Sequence, residues 1–205
     1  FGTRPLLTQE SPIPQGWKDM LRTLEPGDVL LHRFSPTGFY SSAVRNPFLR
    51  NLEERSARQI PYSRIEAGDH TVQLDVGVKG KNFWVTPHDR ERARTWAAAG
   101  ETTALKTPDD TVVFVTPEER ETIRKDQADC MGCLSHCAFS SWKDHDDYTT
   151  GRLADPRSFC IQKTLQDIAH GGDTDENLAF AGHAAYRFKQ DPFYSNGFTP
   201  TVKQL

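Results

Sequence analysis

The sequence predicts a mixed α/β chain that becomes largely helical after Thr116. Apolar residues fall on alternate positions at Val72, Leu74, Val76 and Val78, the period of a strand with one buried face. Asn46-Pro47, Thr86-Pro87 and Thr116-Pro117 each pair a capping side chain with a proline suited to the first helical turn. Beyond TVVFV at 111–115 the apolar spacing becomes helical.

In chain order, Gly2-Thr3 followed by a short apolar step reads as a strand end entering a loop. Residues 15–23 form a short helix, with Trp17, Met20 and Leu21 at helical spacing. Pro26-Gly27-Asp28 turns the chain into a strand over 29–34, and Ser35-Pro36-Thr37-Gly38 breaks it. A helix runs from Asn46-Pro47 to about Arg58, and a strand covers 70–78. Thr86-Pro87 opens a helix that Gly100 stops, with Trp96 on its packed side. Pro108-Asp109-Asp110 turns into TVVFV; Thr116-Pro117-Glu118-Glu119 then opens a helix with a capping box, which delivers the chain to Cys130. IQKTLQDIAH, ended by Gly171-Gly172, is the next helix, and Leu178, Ala181, Ala185 and Phe188 share a face of another.

Hydrophobic residues make up 36% and charged residues 26% of the 205 positions, enough for a real core in one sizeable domain or two small ones. Net charge is -3 with both signs interspersed, which argues against nucleic acid as a partner. No apolar run approaches the length of a membrane span, so a cytoplasmic location without membrane association is expected. Residue one is Phe, and no charged-then-apolar leader pattern follows it. Thr199-Pro200 reads as the start of a helix with only 201–205 left to form it. Both ends are therefore expected to be cut from a longer protein.

The chemistry is concentrated in DCMGCLSHC. Cys130, Cys133, Cys137 and Cys160 follow the pattern C-x2-C-x3-C-x22-C. Bunched cysteines let a short loop wrap several thiolates around one centre, and a remote one closes the coordination. Four thiolates suit a 4Fe–4S cluster or tetrahedral zinc. The 3+1 grouping fits the cluster better, because zinc sites more often come as two separated C-x2-C knuckles. A disulfide framework suits small secreted chains instead, and unliganded thiols are the bland alternative. His136 and His145 are better read as surface histidines than as substitute ligands. The acidic run Lys143-Asp144-His145-Asp146-Asp147 lacks calcium-loop spacing.

Weaker features read as ordinary structure. The loop Gly77-Val78-Lys79-Gly80-Lys81-Asn82 lacks phosphate-loop spacing and reads as a turn. Phe83, Trp84 and Trp96 read as packing. Ser41-Ser42 and Ser140-Ser141 show no nucleophile elbow.

FGTRPLLTQES at the front, with Gly2-Thr3-Arg4 and Thr8-Gln9-Glu10-Ser11, resembles the C-terminal part of the nitronate monooxygenase family. So does the later segment with Gly38, Ala43, Arg45 and Asn46. The tail from DCMGCLSHC through ADPRSFCIQKTLQDIAHGG to the C-terminus is similar to the cysteine-bearing extension of a longer branch of that family. Residues 61–107 match nothing in it.

The resemblance implies an FMN-dependent TIM barrel with its active site at the C-terminal strand ends. Residues 1–25 would be the C-terminal edge of that FMN-binding barrel, 26–115 an α/β connecting region and 116–205 a largely helical four-cysteine domain. Gly2 and Thr3 would sit at the FMN phosphate, and a nitronate or related small molecule would be the substrate. The family's catalytic histidine precedes the Gly-Thr-Arg segment. None of His32, His70, His88, His136, His145, His170 or His183 takes its place, and the catalytic residues are expected outside this chain, which alone should be inactive. The cysteine group is also similar to that of dienoyl-CoA-reductase-like enzymes, where a 4Fe–4S cluster feeds FMN, although their gap to the last cysteine is shorter. An enoyl-thioester reductase of that kind and a non-enzymatic, zinc-stapled interaction domain are the alternatives.

Overall fold

A computed structural model describes residues 2–80, 82–134, 136–140, 153–194 and 197–205. The expectation of mixed α and β structure holds, with helices interleaved among small antiparallel sheets. Among the described residues no helix is long and apolar enough to cross a membrane. Helices α1 (Gln15–Thr23), α2 (Pro47–Ala57), α3 (Pro87–Ala99), α4 (Pro117–Ala128) and α5 (Ile161–Ala169) lie where their caps and spacing predict. Strands are β1 (Val29–His32), β2 (Ser41–Val44), β3 (Gln59–Pro61), β4 (Val72–Gln73), β5 (Trp84–Val85), β6 (Thr103–Lys106) and β7 (Thr111–Val115). The chain divides into two compact units, one of residues 1–51 with 161–205 and the other of residues 52–160.

In the first unit β1 and β2 pair antiparallel, with Val29 opposite Val44 and His32 opposite Ser41. Residues 179–181 lie along the free edge of β2. The Val44 N–H donates to the Ala179 carbonyl at 2.8 Å, and the Ala181 N–H to the Ser42 carbonyl at 3.2 Å. This pairing overrides the helix expected over 178–188. Leu178, Ala181 and Ala185 are buried as that spacing requires, but only Ala185–Gln190 coils, as a 3-10 helix. The core gathers Leu7, Trp17, Leu21, Val44, Ile168 and Tyr194. Asn46 does more than cap α2. Its Oδ1 accepts from the Leu49 N–H at 3.0 Å, while its Nδ2 donates to the Thr174 and Asn177 carbonyls at 2.8 and 2.7 Å.

Two local readings are corrected here. Arg4–Leu7 forms a 3-10 turn and not the end of a strand. The final turn, Val202–Gln204, is capped by Thr201 and not by Thr199, because the Thr201 N–H donates to Gln204 Oε1 at 2.8 Å.

In the second unit β7 is the central strand of a sheet ordered β3-β7-β6. Its run of Val112, Val113, Phe114 and Val115 is fully buried because both faces are covered. Val112 and Phe114 join Ile60, Tyr62, Leu74, Val85 and Ala93. Val113 and Val115 join Leu105, Ile123, Cys137 and Phe139. The alternation holds in burial over 71–75, where Leu74 is buried and Thr71, Gln73 and Asp75 are exposed, but Val76, Gly77 and Val78 are all half-buried. Regular pairing there covers only Val72–Gln73 against Trp84–Val85. Phe83 is buried and Trp96 packs on the core, as expected.

The capping box of α4 forms as predicted. Thr116 Oγ1 accepts from the Glu119 N–H at 3.1 Å, and the Thr116 N–H donates to Glu119 Oε2 at 2.9 Å. Both Glu119 oxygens also accept from Arg58 Nη2 at 3.0 Å. Thr116→Ala should lower stability by about 0.5–2 kcal/mol, read as a fall in the urea midpoint at constant slope. An unchanged midpoint would show that the cap contributes nothing.

Candidate four-cysteine centre and candidate pocket

Helix α4 ends at Ala128, and the next residues start the cysteine loop. Gly132 adopts φ 68°, a left-handed conformation that glycine takes without steric cost. That conformation turns its N–H toward Cys130 Sγ, 3.4 Å away. Cys130 Sγ also lies 3.0 Å from Ser140 Oγ. The Cys137 N–H donates to the Leu134 carbonyl at 3.2 Å, which closes a turn. Two ties hold the far side of the loop: Gln127 Nε2 donates to the Phe139 carbonyl at 2.9 Å, and the Asp155 N–H to the Ala138 carbonyl at 2.7 Å.

Arg157 anchors the approach to Cys160. Its guanidinium makes a two-pronged contact with Asp155 at 2.9 and 2.7 Å, and its Nη1 reaches Asp109 at 2.9 Å and Gln59 at 2.8 Å. Burial works against the charge, but the hydrogen bonds and charges of Asp155 and Asp109 outweigh it and raise the Arg157 pKa. The result brings Cys160 and Leu134 onto the core that holds Cys137, built on the Val113 and Val115 face of β7.

All four cysteines are free thiols, with Cys137 buried, Cys133 exposed, and Cys130 and Cys160 between. Burial raises the Cys133 pKa, and the neighbouring charges of Cys160, Cys137 and Cys130 add to the effect. The four sulfurs thus share one electrostatic neighbourhood. Among the described residues, no three His, Cys, Asp or Glu side chains are gathered tightly enough for a single ion. The sulfurs therefore influence one another's charge without standing at the distances of ligands to a single ion. His136 is exposed. His145, the acidic run 143–147, Ser141 and Lys81 lie outside the described residues.

Gly2 and Thr3 line a pocket of about 680 Å³ in the first unit, with Ser42, Phe180, Gly182 and Phe188 among its other walls. Thr3 Oγ1 accepts from the Gly182 N–H at 2.7 Å, and a side chain on Gly2 would meet open space. Arg4 at the rim pairs with Asp191 and lies over the Phe193 and Tyr194 rings, 5.9 and 5.7 Å from their centroids. The pocket is of small-molecule size. Sequence reasoning singled out Gly2 and Thr3, which line this pocket, but not the facing wall from 180–188, because nothing local marks a contact across that separation.

No family model, curated protein or solved structure matches this chain.

Proposed function

We propose that this chain is the C-terminal portion of a nitronate monooxygenase-like, FMN-dependent oxidoreductase whose Cys130, Cys133, Cys137 and Cys160 hold a 4Fe–4S cluster. The observation that carries the reading is that Cys137 and Cys160, with 22 residues between them in the chain, meet on the Val113 and Val115 face of β7, while Cys133 feels the charges of Cys160, Cys137 and Cys130. Residues 1–25 belong to the edge of an FMN-binding TIM barrel. Gly2 and Thr3 receive the phosphate end, with the Thr3 hydroxyl oriented by the Gly182 N–H. FMN, when bound, supplies single-electron exchange with a nitronate-type substrate and with oxygen. The cysteine domain adds either an electron relay or a rigid staple.

The test is metal and sulfide content together with the visible spectrum of anaerobically purified protein. Iron and sulfide, with a broad band that bleaches on dithionite, are expected. Zinc with no visible band would overturn the cluster and make the four thiols a structural staple.

A further inference from the structure

We propose that the pocket in the first unit binds a neutral aromatic molecule, seated between the chain segments at 2–6 and 180–188. The proposal goes beyond the flavin reading, which uses only Gly2 and Thr3 of one wall. Leu6, Phe180 and Phe188 are half-buried. Each packs against the core of Leu7, Trp17 and Leu21 and also lines the pocket. The apolar surface they leave uncovered is thus gathered in one concavity, the usual mark of a binding site. Gly182, Ala184 and Ala185 on the same wall carry little or no side chain and leave the room. The volume of about 680 Å³ falls within the range of cavities that enclose drug-sized ligands.

The walls are set before anything binds. Phe180 is bridged to Ala43 of β2. The Phe188 ring stands edge-on to Tyr194, with centroids 5.2 Å apart. The hydrogen bond from the Gly182 N–H to Thr3 Oγ1 ties the two segments together at 2.7 Å. A preformed site loses less to ordering when it is filled. Two fixed rings favour a rigid aromatic occupant, because edge-to-face and offset ring contacts add to what apolar area alone contributes. Charge selects against an ion. Among the described residues of the walls Arg4 alone is charged, and it pairs with Asp191. The other polar side chains there are the hydroxyls of Thr3 and Ser42. An anion would have to break the Arg4–Asp191 pair or enter unpaired, and an unpaired charge out of water is costly. A neutral molecule leaves the pair intact.

The experiment titrates the 205-residue chain with prodan, a neutral naphthalene ketone whose emission moves to the blue in apolar surroundings. Saturable binding with a blue shift is expected. Ala184 lines the pocket from an exposed position, so Ala184→Trp fills the space without removing a core side chain. It should weaken binding at least about tenfold. His183→Trp places the same side chain at the neighbouring exposed position, which does not line the pocket, and should bind prodan as wild type does. Circular dichroism checks that both variants fold. In competition, 1-naphthol should displace prodan. Its charged counterpart 1-naphthalenesulfonate should need at least about tenfold higher concentration, and 1-decanol, with the same carbon count and no ring, should also be the weaker competitor. No saturable binding by wild type, binding retained by Ala184→Trp, or equal loss in His183→Trp would overturn the pocket as the site. Competition by the sulfonate or by 1-decanol equal to that of 1-naphthol would overturn the neutral, aromatic assignment. Displacement of prodan by FMN would give the cavity to the flavin, which overturns this proposal and leaves the flavin reading standing.

Discussion

Cys160→Ser is expected to abolish the cluster proposed for the four cysteines. Iron and sulfide should fall to background in the purified variant, and the visible band should vanish. The reason is positional. Cys130, Cys133 and Cys137 come from one loop after α4, and Cys160 is the proposed ligand that arrives from elsewhere. Its approach is fixed by the Arg157 contacts to Asp155, Asp109 and Gln59, and it packs on the core that buries Cys137. A serine hydroxyl fills nearly the same space but remains protonated at neutral pH and is a poor ligand for soft metals. Met131→Ser, changing an exposed side chain of the same loop, should leave metal content unchanged. Full retention of iron by Cys160→Ser would remove Cys160 from the ligand set and with it the 3+1 arrangement.

The parts of this structure visible in the sequence are those decided locally. Thr86 and Thr116 cap α3 and α4 at the predicted positions because a cap needs only its own side chain and the next turn. TVVFV is a strand because an uninterrupted branched and aromatic run suits burial on two faces. Strands β2 (SSAV) and β6 (TALK) carry no such signal. They are strands because β1 and β7 pair with them. The helical spacing of Leu178, Ala181 and Ala185 correctly marks burial but gives the wrong backbone, because the edge of β2 claims residues 179–181. The same division runs through the cysteine site. Spacing identifies the four thiols, whereas the reach of Gly132 and Ser140 to Cys130 depends on loop ties to Gln127 and Asp155.

Phe114→Ala should cost about 3–5 kcal/mol, the largest loss expected from a single core truncation here. Phe114 is fully buried, and its ring packs tilted against Trp96 with centroids 5.5 Å apart. A Cβ on Gly77 would stand 2.7 Å from Phe114 Cε1, so the backbone at Gly77 already closes on the ring as far as it can. Little is free to collapse into the space that alanine would leave. The loss should be read as a fall in the urea midpoint followed by tryptophan fluorescence. Strand alternation makes a second outcome equally specific. Phe114 faces the core of Ile60, Leu74 and Ala93, while Val113 and Val115 face the core that gathers Cys137 and Cys160. At temperatures where the variant is folded, Phe114→Ala should therefore leave iron and sulfide content at the wild-type level, as sites without shared partners act nearly independently. Val113→Ala, a smaller truncation on the opposite face, should lower iron and sulfide content more than Phe114→Ala does. The reverse order, with Phe114→Ala losing the metal and Val113→Ala keeping it, would show that the two faces of β7 do not divide the core from the cysteine centre.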